Sequence, residues 1–345
     1  MSWKPISKNS RPISLHKARV NPEFNSKTVL VDDIWEYVDM WLKRNSNRQA
    51  QFYWNQAKDF YNATQILNKN SAPLTAYYCF LNAVKTLFEV KNISASDRHG
   101  VTGYSTGNYS TLLNESIIFQ TAGILPKLCE YLGEPIERNI YNLKDVLYNL
   151  PYLHRAYCLT FANQKELFLP VANPVFVRKN QSAESWLSFE IIDNKYQNGH
   201  ILNKLPNGYE RDLGIDSKWV IRKKKRFKWK TQGEEKKSNE ERLKNYHKKC
   251  RSNLHYIAGD KTLWYLKRDS VTGVIDRCSL TLTFGAMHKL SEMARYSPIS
   301  LSKHFESQHN WLLSEFINIS TFQFMDAIAS EITGKTFLKP GRRKK

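Results

Sequence analysis

The chain has 345 residues, of which 41% are hydrophobic, and its formal net charge at pH 7 is +20. A chain of this length and composition buries enough apolar surface to offset the entropy cost of folding, which excludes global disorder. No run of about 18 apolar residues occurs, so a membrane-spanning helix is excluded, and the N-terminus lacks the apolar segment of a secretory signal. We therefore expect a soluble, cytoplasmic protein without a membrane partner.

Residues 1–165 are predicted to form an N-terminal helical region, which begins with a polar lead-in of extended or irregular chain. Apolar side chains recur at spacings of three and four from Arg48 to Leu67 and from Leu74 to Phe88, which is typical of amphipathic helices. Ser71 and Pro73 are typical of a helix start. The short connection between the two stretches predicts an antiparallel helical pair.

The hydrophobic pattern changes from a helical to a strand-like period at about Glu166. Residues 166–278 are therefore predicted to be a strand-rich region that contains a basic, charged hairpin. The helical period returns at Leu280, and residues 279–345 are predicted to be C-terminal helices that pack on the N-terminal region, with a basic tail. The expected fold class is α+β and mainly helical, a helical bundle with a strand-rich basic insertion.

The positive charge is gathered in two stretches of the chain. Lys218 to Arg251 contain 15 Lys or Arg and 4 Glu, and the tail from Lys339 to Lys345 adds a charge of +5. A concentrated excess of one sign is typical of a surface that meets a polyanion, whereas an even spread would only aid solubility.

The densest cationic run, which we name the basic segment, is a candidate nucleic-acid-binding site. It consists of Arg222, Lys223, Lys224, Lys225, Arg226, Phe227, Lys228, Trp229 and Lys230. Lysine and arginine that meet phosphates release condensed counterions, and the two aromatic rings could stack on bases. Two alternatives are a solvated edge strand whose lysines block aggregation, and a surface for an acidic membrane or protein partner.

Metal and cofactor signatures are absent from the sequence. The five cysteines are scattered and form no CxxC pair, which favours reduced thiols over disulfides or a zinc site. No P-loop, GxGxxG, GxSxG or HExxH motif occurs. We therefore predict no metal and no cofactor.

Three stretches of the helical regions resemble a known family. The stretch Tyr77–Lys85 followed by Arg98–Val101, the run from Ile117 to Leu132, and the stretch Leu290–Tyr296 are similar to the YaaC-like family of bacterial proteins. The tyrosine-pair helix followed by a His-Gly loop also resembles HEPN domains, which are helical bundles. Many HEPN proteins bind or cut RNA, often in toxin or phage-defence settings. The resemblance therefore implies a HEPN-like bundle and a function on RNA.

Active HEPN ribonucleases carry an arginine followed, after four to six residues, by a histidine. Arg11 to His16 and Arg242 to His247 have this spacing. Two matches are close to the number expected by chance, and neither falls on the helix where the family's pair belongs. The spacing therefore assigns neither pair to catalysis.

The catalytic candidates are Arg98, His99 and Arg295. The resemblance implies a metal-independent ribonuclease in which His99 acts as base or acid and an arginine stabilises the phosphorane charge. In the structural alternative, His99 fixes its loop to the bundle and Arg98 pairs with a carboxylate.

We predict a nucleic-acid-binding protein of the YaaC-like family that acts on RNA in defence against foreign nucleic acid. RNA and DNA fit the basic segment equally well. The alternative is a non-catalytic interaction module of a larger complex that binds an acidic protein partner, and a homo-oligomer is also compatible with the sequence.

Overall fold

The computed structural model describes residues 3–107, 110–213, 218–233 and 237–341. The chain forms two compact units. We name residues 1–30, 167–274 and 334–345 the sheet unit, and residues 31–166 and 275–333 the helical unit. The last four residues of the predicted basic tail, 342–345, lie outside the described residues, as do residues 234–236 of the predicted charged hairpin.

Strands and helices are numbered in chain order over the described residues. The strands are β1 (Trp3–Pro5), β2 (Ser7–Lys8), β3 (Arg11–Pro12), β4 (Val29–Leu30), β5 (Val101–Ser105), β6 (Glu115–Phe119), β7 (Asn139–Asn142), β8 (Phe168–Lys179), β9 (Glu184–Glu190), β10 (Tyr209–Arg211), β11 (Val220–Lys223), β12 (Phe227–Lys228), β13 (Leu254–Ile257), β14 (Leu263–Lys267) and β15 (Phe337–Leu338). The helices are α1 (Ile34–Asn45), α2 (Arg48–Ile66), α3 (Ala72–Lys91), α4 (Ile124–Leu132), α5 (Leu143–Tyr148), α6 (His154–Thr160), α7 (Gly199–Leu202), α8 (Asn239–Cys250), α9 (Ser279–Tyr296), α10 (Pro298–Phe305) and α11 (Asn310–Thr333).

An eight-stranded antiparallel sheet organises the sheet unit. Its path runs β10-β11-β9-β8-β14-β13, while β1 also pairs with β8 and β12 also pairs with β9. The long strand β8 is central because it pairs with β9, and also with β14 near its start and β1 near its end. A register shift between Ala172 and Val175 lets Pro174, which cannot donate a backbone hydrogen bond, sit outside the ladder.

The polar lead-in of the chain belongs to the core of the sheet unit. Ile6, Ile13 and Leu15 are buried there together with side chains of β8, β9 and α8. The Ile6 N–H donates to the Phe176 carbonyl at 2.8 Å. Near the C-terminus, β15 pairs in parallel with β4. Three separate stretches of chain therefore build this unit.

Helix α3 is the centre of the helical unit. It is buried over most of its length, and α2, α9 and α11 contact it. Asn92 ends α3 in the left-handed conformation that asparagine tolerates better than most residues. The helical unit also contains the three-stranded antiparallel sheet β5-β6-β7, and α9 contacts β6. The predicted helices at Arg48 to Leu67 and Leu74 to Phe88 are confirmed as α2 and α3.

The expected fold class, a HEPN-like helical bundle with a strand-rich basic insertion, is wrong. Helices take 44% of the described residues and strands 19%, and the large antiparallel sheet draws on the lead-in as well as on the middle of the chain. The expectation failed because the pairing of β1 with β8 joins residues far apart in sequence, which local periodicity does not reveal. No helix among the described residues is both long and apolar enough to cross a lipid bilayer.

Candidate functional site

Formal charge is divided very unevenly between the two units. The sheet unit holds 35 of the 52 Lys and Arg and 13 of the 32 Asp and Glu, a net charge of +22. The helical unit holds 17 Lys and Arg and 19 Asp and Glu, a net charge of −2. The whole positive excess of the protein is therefore carried by the sheet unit.

The two arginines of the basic segment are bound to neighbouring carboxylates. Arg222 Nε donates to Glu210 Oε1 at 2.8 Å, and its Nη1 lies 3.6 Å from Asp212 Oδ1. Arg226 Nε lies 3.4 Å from Glu184 Oε1. The strand pairs β10-β11 and β9-β12 bring these groups together, so the arginine charges are largely compensated within the sheet unit.

Three further members of the basic segment face the core of the sheet unit. Lys223 is 8% exposed, its Nζ donates to the Tyr209 hydroxyl at 3.3 Å, and burial lowers its pKa. Phe227 is buried, with its ring centroid 4.6 Å from that of Tyr246. Trp229 is half-buried and packs against the same core.

Lys224, Lys225 and Lys228 are exposed, and within the described parts of the chain no carboxylate pairs with them. Lys230 is half-buried, and its backbone N–H donates to Asn239 Oδ1 at 2.9 Å. The structure thus divides the basic segment into two paired arginines, three inward-facing side chains, three exposed lysines and the half-buried Lys230.

Helix α8 places more cations beside the basic segment. The Tyr246 hydroxyl donates to the Lys225 carbonyl at 2.8 Å, and Arg242 Nε donates to the Lys228 carbonyl at 3.0 Å. These two hydrogen bonds hold α8 against the loop and strand that carry the exposed lysines. The same helix carries Lys244 and Lys249, so cations from two parts of the sequence lie on adjoining elements.

The loop that holds Arg98 and His99 lies between α3 and β5 and accepts hydrogen bonds from the first turn of helix α4. The carbonyls of Arg98 and His99 accept the N–H groups of Ile124 and Leu125 at 2.9 and 3.0 Å. The first N–H groups of a helix have no partner within the helix, and here no side chain caps them. The Arg98 side chain is exposed, and its contact with α4 is made by its backbone carbonyl.

His99 lies in a cluster of polar side chains within the helical unit. Its Nδ1 is 2.6 Å from the Tyr77 hydroxyl, and its ring centroid is 5.6 Å from that of His288. His288 Nδ1 lies 3.8 Å from Glu292 Oε2 on the next turn of α9. Arg295 is half-buried on the same helix.

Burial and neighbouring cations keep these histidines neutral. Burial lowers the pKa of His99, with Arg295 and Lys85 adding to the effect. Burial also lowers the pKa of His288 to about 3, with His99 and Arg295 contributing. Of the predicted catalytic set, His99 and Arg295 are thus electrostatic neighbours. A neutral imidazole beside a guanidinium is chemically suited to transfer a proton near an anion.

The sequence patterns did not point to a buried ionic network in the helical unit. Glu115 accepts hydrogen bonds from Lys289 and from His304, each at 3.0 Å, and these bonds hold its pKa at about 2 against the effect of burial. His304 in turn lies 2.8 Å from His309. The only sequence feature that could have pointed to this network is Lys289, a charged residue within the apolar pattern of α9.

The fold and the charge division define a protein of two units, one a strongly basic antiparallel sheet and the other nearly neutral and mostly helical. Its sequence matches the family model described as YaaC-like Protein over residues 15–332, so the chain belongs to the YaaC-like family. A comparison with curated proteins found no match, and a comparison with solved structures found none either.

Proposed function

We propose that this protein binds nucleic acid through the surface of its sheet unit. The observation that carries the proposal is the division of charge, +22 on the sheet unit against −2 on the helical unit. A surface of one sign attracts the phosphate backbone, and each cation that meets a phosphate releases counterions. Lys224, Lys225 and Lys228 are the residues of the basic segment best exposed for such contacts.

Replacing Lys224, Lys225 and Lys228 together by serine is expected to weaken binding of a single-stranded RNA oligonucleotide. The slope of log K against log salt concentration should become shallower by about 2, because each lost phosphate contact removes about 0.7 on single strands. The measurement is a fluorescence-anisotropy titration at several salt concentrations. Since the three side chains are exposed, folding should not change.

A matched control replaces three exposed lysines of the helical unit, Lys69, Lys165 and Lys303, by serine. It removes the same charge and should leave the RNA slope nearly unchanged. If both triple variants lose RNA affinity equally, net charge alone explains the effect, and the proposed surface is rejected. Salt-resistant binding to one acidic protein, with no binding to RNA or DNA, would favour the alternative of an interaction module.

Action on RNA, in defence against foreign nucleic acid, is the finer form of this proposal. It draws on the sequence resemblance and on the neighbouring positions of His99 and Arg295. A cytoplasmic location is supported by the five cysteines, all of them free thiols and four of them buried, as expected in a reducing compartment.

A further inference from the structure

The sheet unit contains a cationic cavity that is separate from the basic segment. Its volume is about 450 Å³, within the roughly 300–1,000 Å³ of small-molecule sites. The hairpin β2-β3 and residues 24–28 form much of its wall. Lys8, Arg11 and Lys27 are the charged residues that line it, and no carboxylate is among its described lining residues.

The charge of this cavity matches a dianion. Lys8 is paired with Glu240, which compensates one of the three positive charges. Arg11 and Lys27 are exposed, and no carboxylate in the described parts of the chain pairs with either. Two uncompensated cations therefore face the same space. A phosphomonoester, which carries a charge between −1.5 and −2 at about neutral pH, is the complementary group.

His16 places a buried ring in the lining of this cavity. Its Nδ1 accepts the Ala18 N–H at 3.0 Å, so the proton of the neutral ring is on Nε2. The residue is 7% exposed, and Nε2 has no hydrogen-bond partner within the described residues. Because Nε2 itself is inaccessible to solvent, His16 forms part of the cavity wall and does not offer this N–H to the contents of the cavity.

The electrostatic surroundings of His16 agree with an anion site. Burial and the charges of Arg251, Lys17 and Lys335 together lower its pKa to about 3, although a backbone hydrogen bond at Ala18 acts in the opposite direction. The positive potential that disfavours a proton on His16 favours a negative group beside it. At neutral pH the ring is therefore an uncharged N–H donor in a positive environment.

A smaller cavity of about 230 Å³ adjoins the first and shares Lys8, Phe24 and Asn25 with it. Apolar side chains contribute much of its lining, among them Trp229 and Leu243. Two carboxylates, Glu23 and Glu240, also line it, and they are paired with Lys335 and Lys8. An aromatic ring can stack on a base, and an apolar cleft beside a phosphate site is the usual arrangement for a nucleotide.

We infer that these two cavities bind a nucleotide with a terminal phosphate group. The phosphate would contact Arg11 and Lys27, and the base would lie against Phe24 and Trp229. The ligand is either a free nucleoside monophosphate or the phosphorylated end of a nucleic acid. This site shares Trp229 with the basic segment, but it uses none of the three exposed lysines proposed to bind RNA.

The first test is isothermal titration of the full chain with 5′-AMP and with adenosine. We expect 5′-AMP to bind and adenosine to bind at least roughly tenfold more weakly, since charge-assisted hydrogen bonds to the phosphate are lost. The double variant Arg11→Ser/Lys27→Ser should lose a similar factor for 5′-AMP. Both side chains are exposed, so this variant is expected to fold.

The matched control for this double variant is Lys204→Ser/Lys261→Ser, two exposed lysines of the sheet unit outside both cavities. It should bind 5′-AMP like the unaltered protein. The inference is overturned if 5′-AMP binds no better than adenosine, or if the two double variants bind it equally.

Two further titrations identify the source of the ligand and separate this inference from the proposed function. A preference for 5′-phosphorylated over 5′-hydroxyl RNA, lost in Arg11→Ser/Lys27→Ser, assigns the site to a nucleic-acid end. Binding of 5′-AMP without that preference assigns it to a free nucleotide. The Lys224→Ser/Lys225→Ser/Lys228→Ser variant should keep its affinity for 5′-AMP, so a protein that fails to bind 5′-hydroxyl RNA can still support the nucleotide site.

Discussion

Neighbouring lysines of the basic segment differ in what their side chains can reach. Lys223 is directly opposite Tyr209 in the β10-β11 register, and its Nζ is 4.6 Å from the centre of that ring. Lys224 follows the end of β11 and is exposed. Because successive side chains of a strand point to opposite faces, adjacent cations can serve packing and binding separately.

Single substitutions at these two positions should therefore have different effects. Lys223→Met keeps the length of the side chain and removes a buried charge, so we expect an unchanged salt slope for RNA and a free energy of unfolding within about 1 kcal/mol of the original. Lys224→Ser should make the salt slope shallower by about 0.7. Anisotropy titrations and urea unfolding measure both. Equal changes in slope would contradict this assignment.

Among single elements, the loop between α3 and β5, which contacts the start of α4, depends on a glycine. Gly100 has a φ of +74°, and a Cβ added there would lie 2.3 Å from Pro126 Cδ in α4. The loop must approach this closely for the Arg98 and His99 carbonyls to meet the first N–H groups of the helix. Both the backbone conformation and the close approach require a residue without a side chain.

Gly100→Ala should destabilise the protein by about 1–3 kcal/mol through strain at this position. His99→Ala keeps the backbone carbonyl and should preserve the start of α4, although it removes the hydrogen bond to Tyr77. Gly199→Ala is the control, since a Cβ there meets no atom within 4 Å. Urea unfolding monitored by circular dichroism gives the free energy of unfolding of each of the three variants. If the Gly100→Ala protein is as stable as the control, a side chain at residue 100 causes no strain and this prediction is wrong.

Individual elements differ in how well the sequence predicted them. Helices α2 and α3 follow the predicted stretches closely, because their apolar periodicity is a local property. Strands β1 to β3 lie in a segment predicted to be extended or irregular, since their burial depends on contacts with β8 and α8. The basic segment was visible as charge, but the carboxylates that pair with its arginines come from β9, β10 and the residue after β10.

The whole molecule combines one strongly charged unit with one nearly neutral unit. Sequence analysis located the excess charge in two stretches, but it could not assign the cations of the lead-in to the same unit. That assignment depends on long-range pairing. The same pairing places Arg11 and His16 in the lining of one cavity. Their sequence spacing matched the HEPN pattern but assigned them no function.

Histidines give both units a common dependence on pH. Burial is the main cause that lowers the pKa of seven of the nine histidines in the chain. These are His16, His99, His154, His247, His255, His288 and His309. The unfolded chain binds protons at these side chains below about pH 6.5, whereas the folded protein does not. Stability therefore decreases as the pH falls from 6.5 toward the folded pKa values, about 3 for His16 and His288 and about 4 for His154 and His309.

Between pH 7 and pH 5 we expect the free energy of unfolding to fall by several kcal/mol, because each fully buried histidine contributes up to about 1.4 kcal/mol per pH unit below 6.5. Urea unfolding at pH 7, 6 and 5 measures the decrease. His288→Gln should make the pH dependence shallower by about one proton, since it removes one buried titrating ring. His200→Gln is the matched control, because it makes the same substitution at an exposed histidine. Stability that stays constant over this range would contradict the lowered pKa values of these buried histidines.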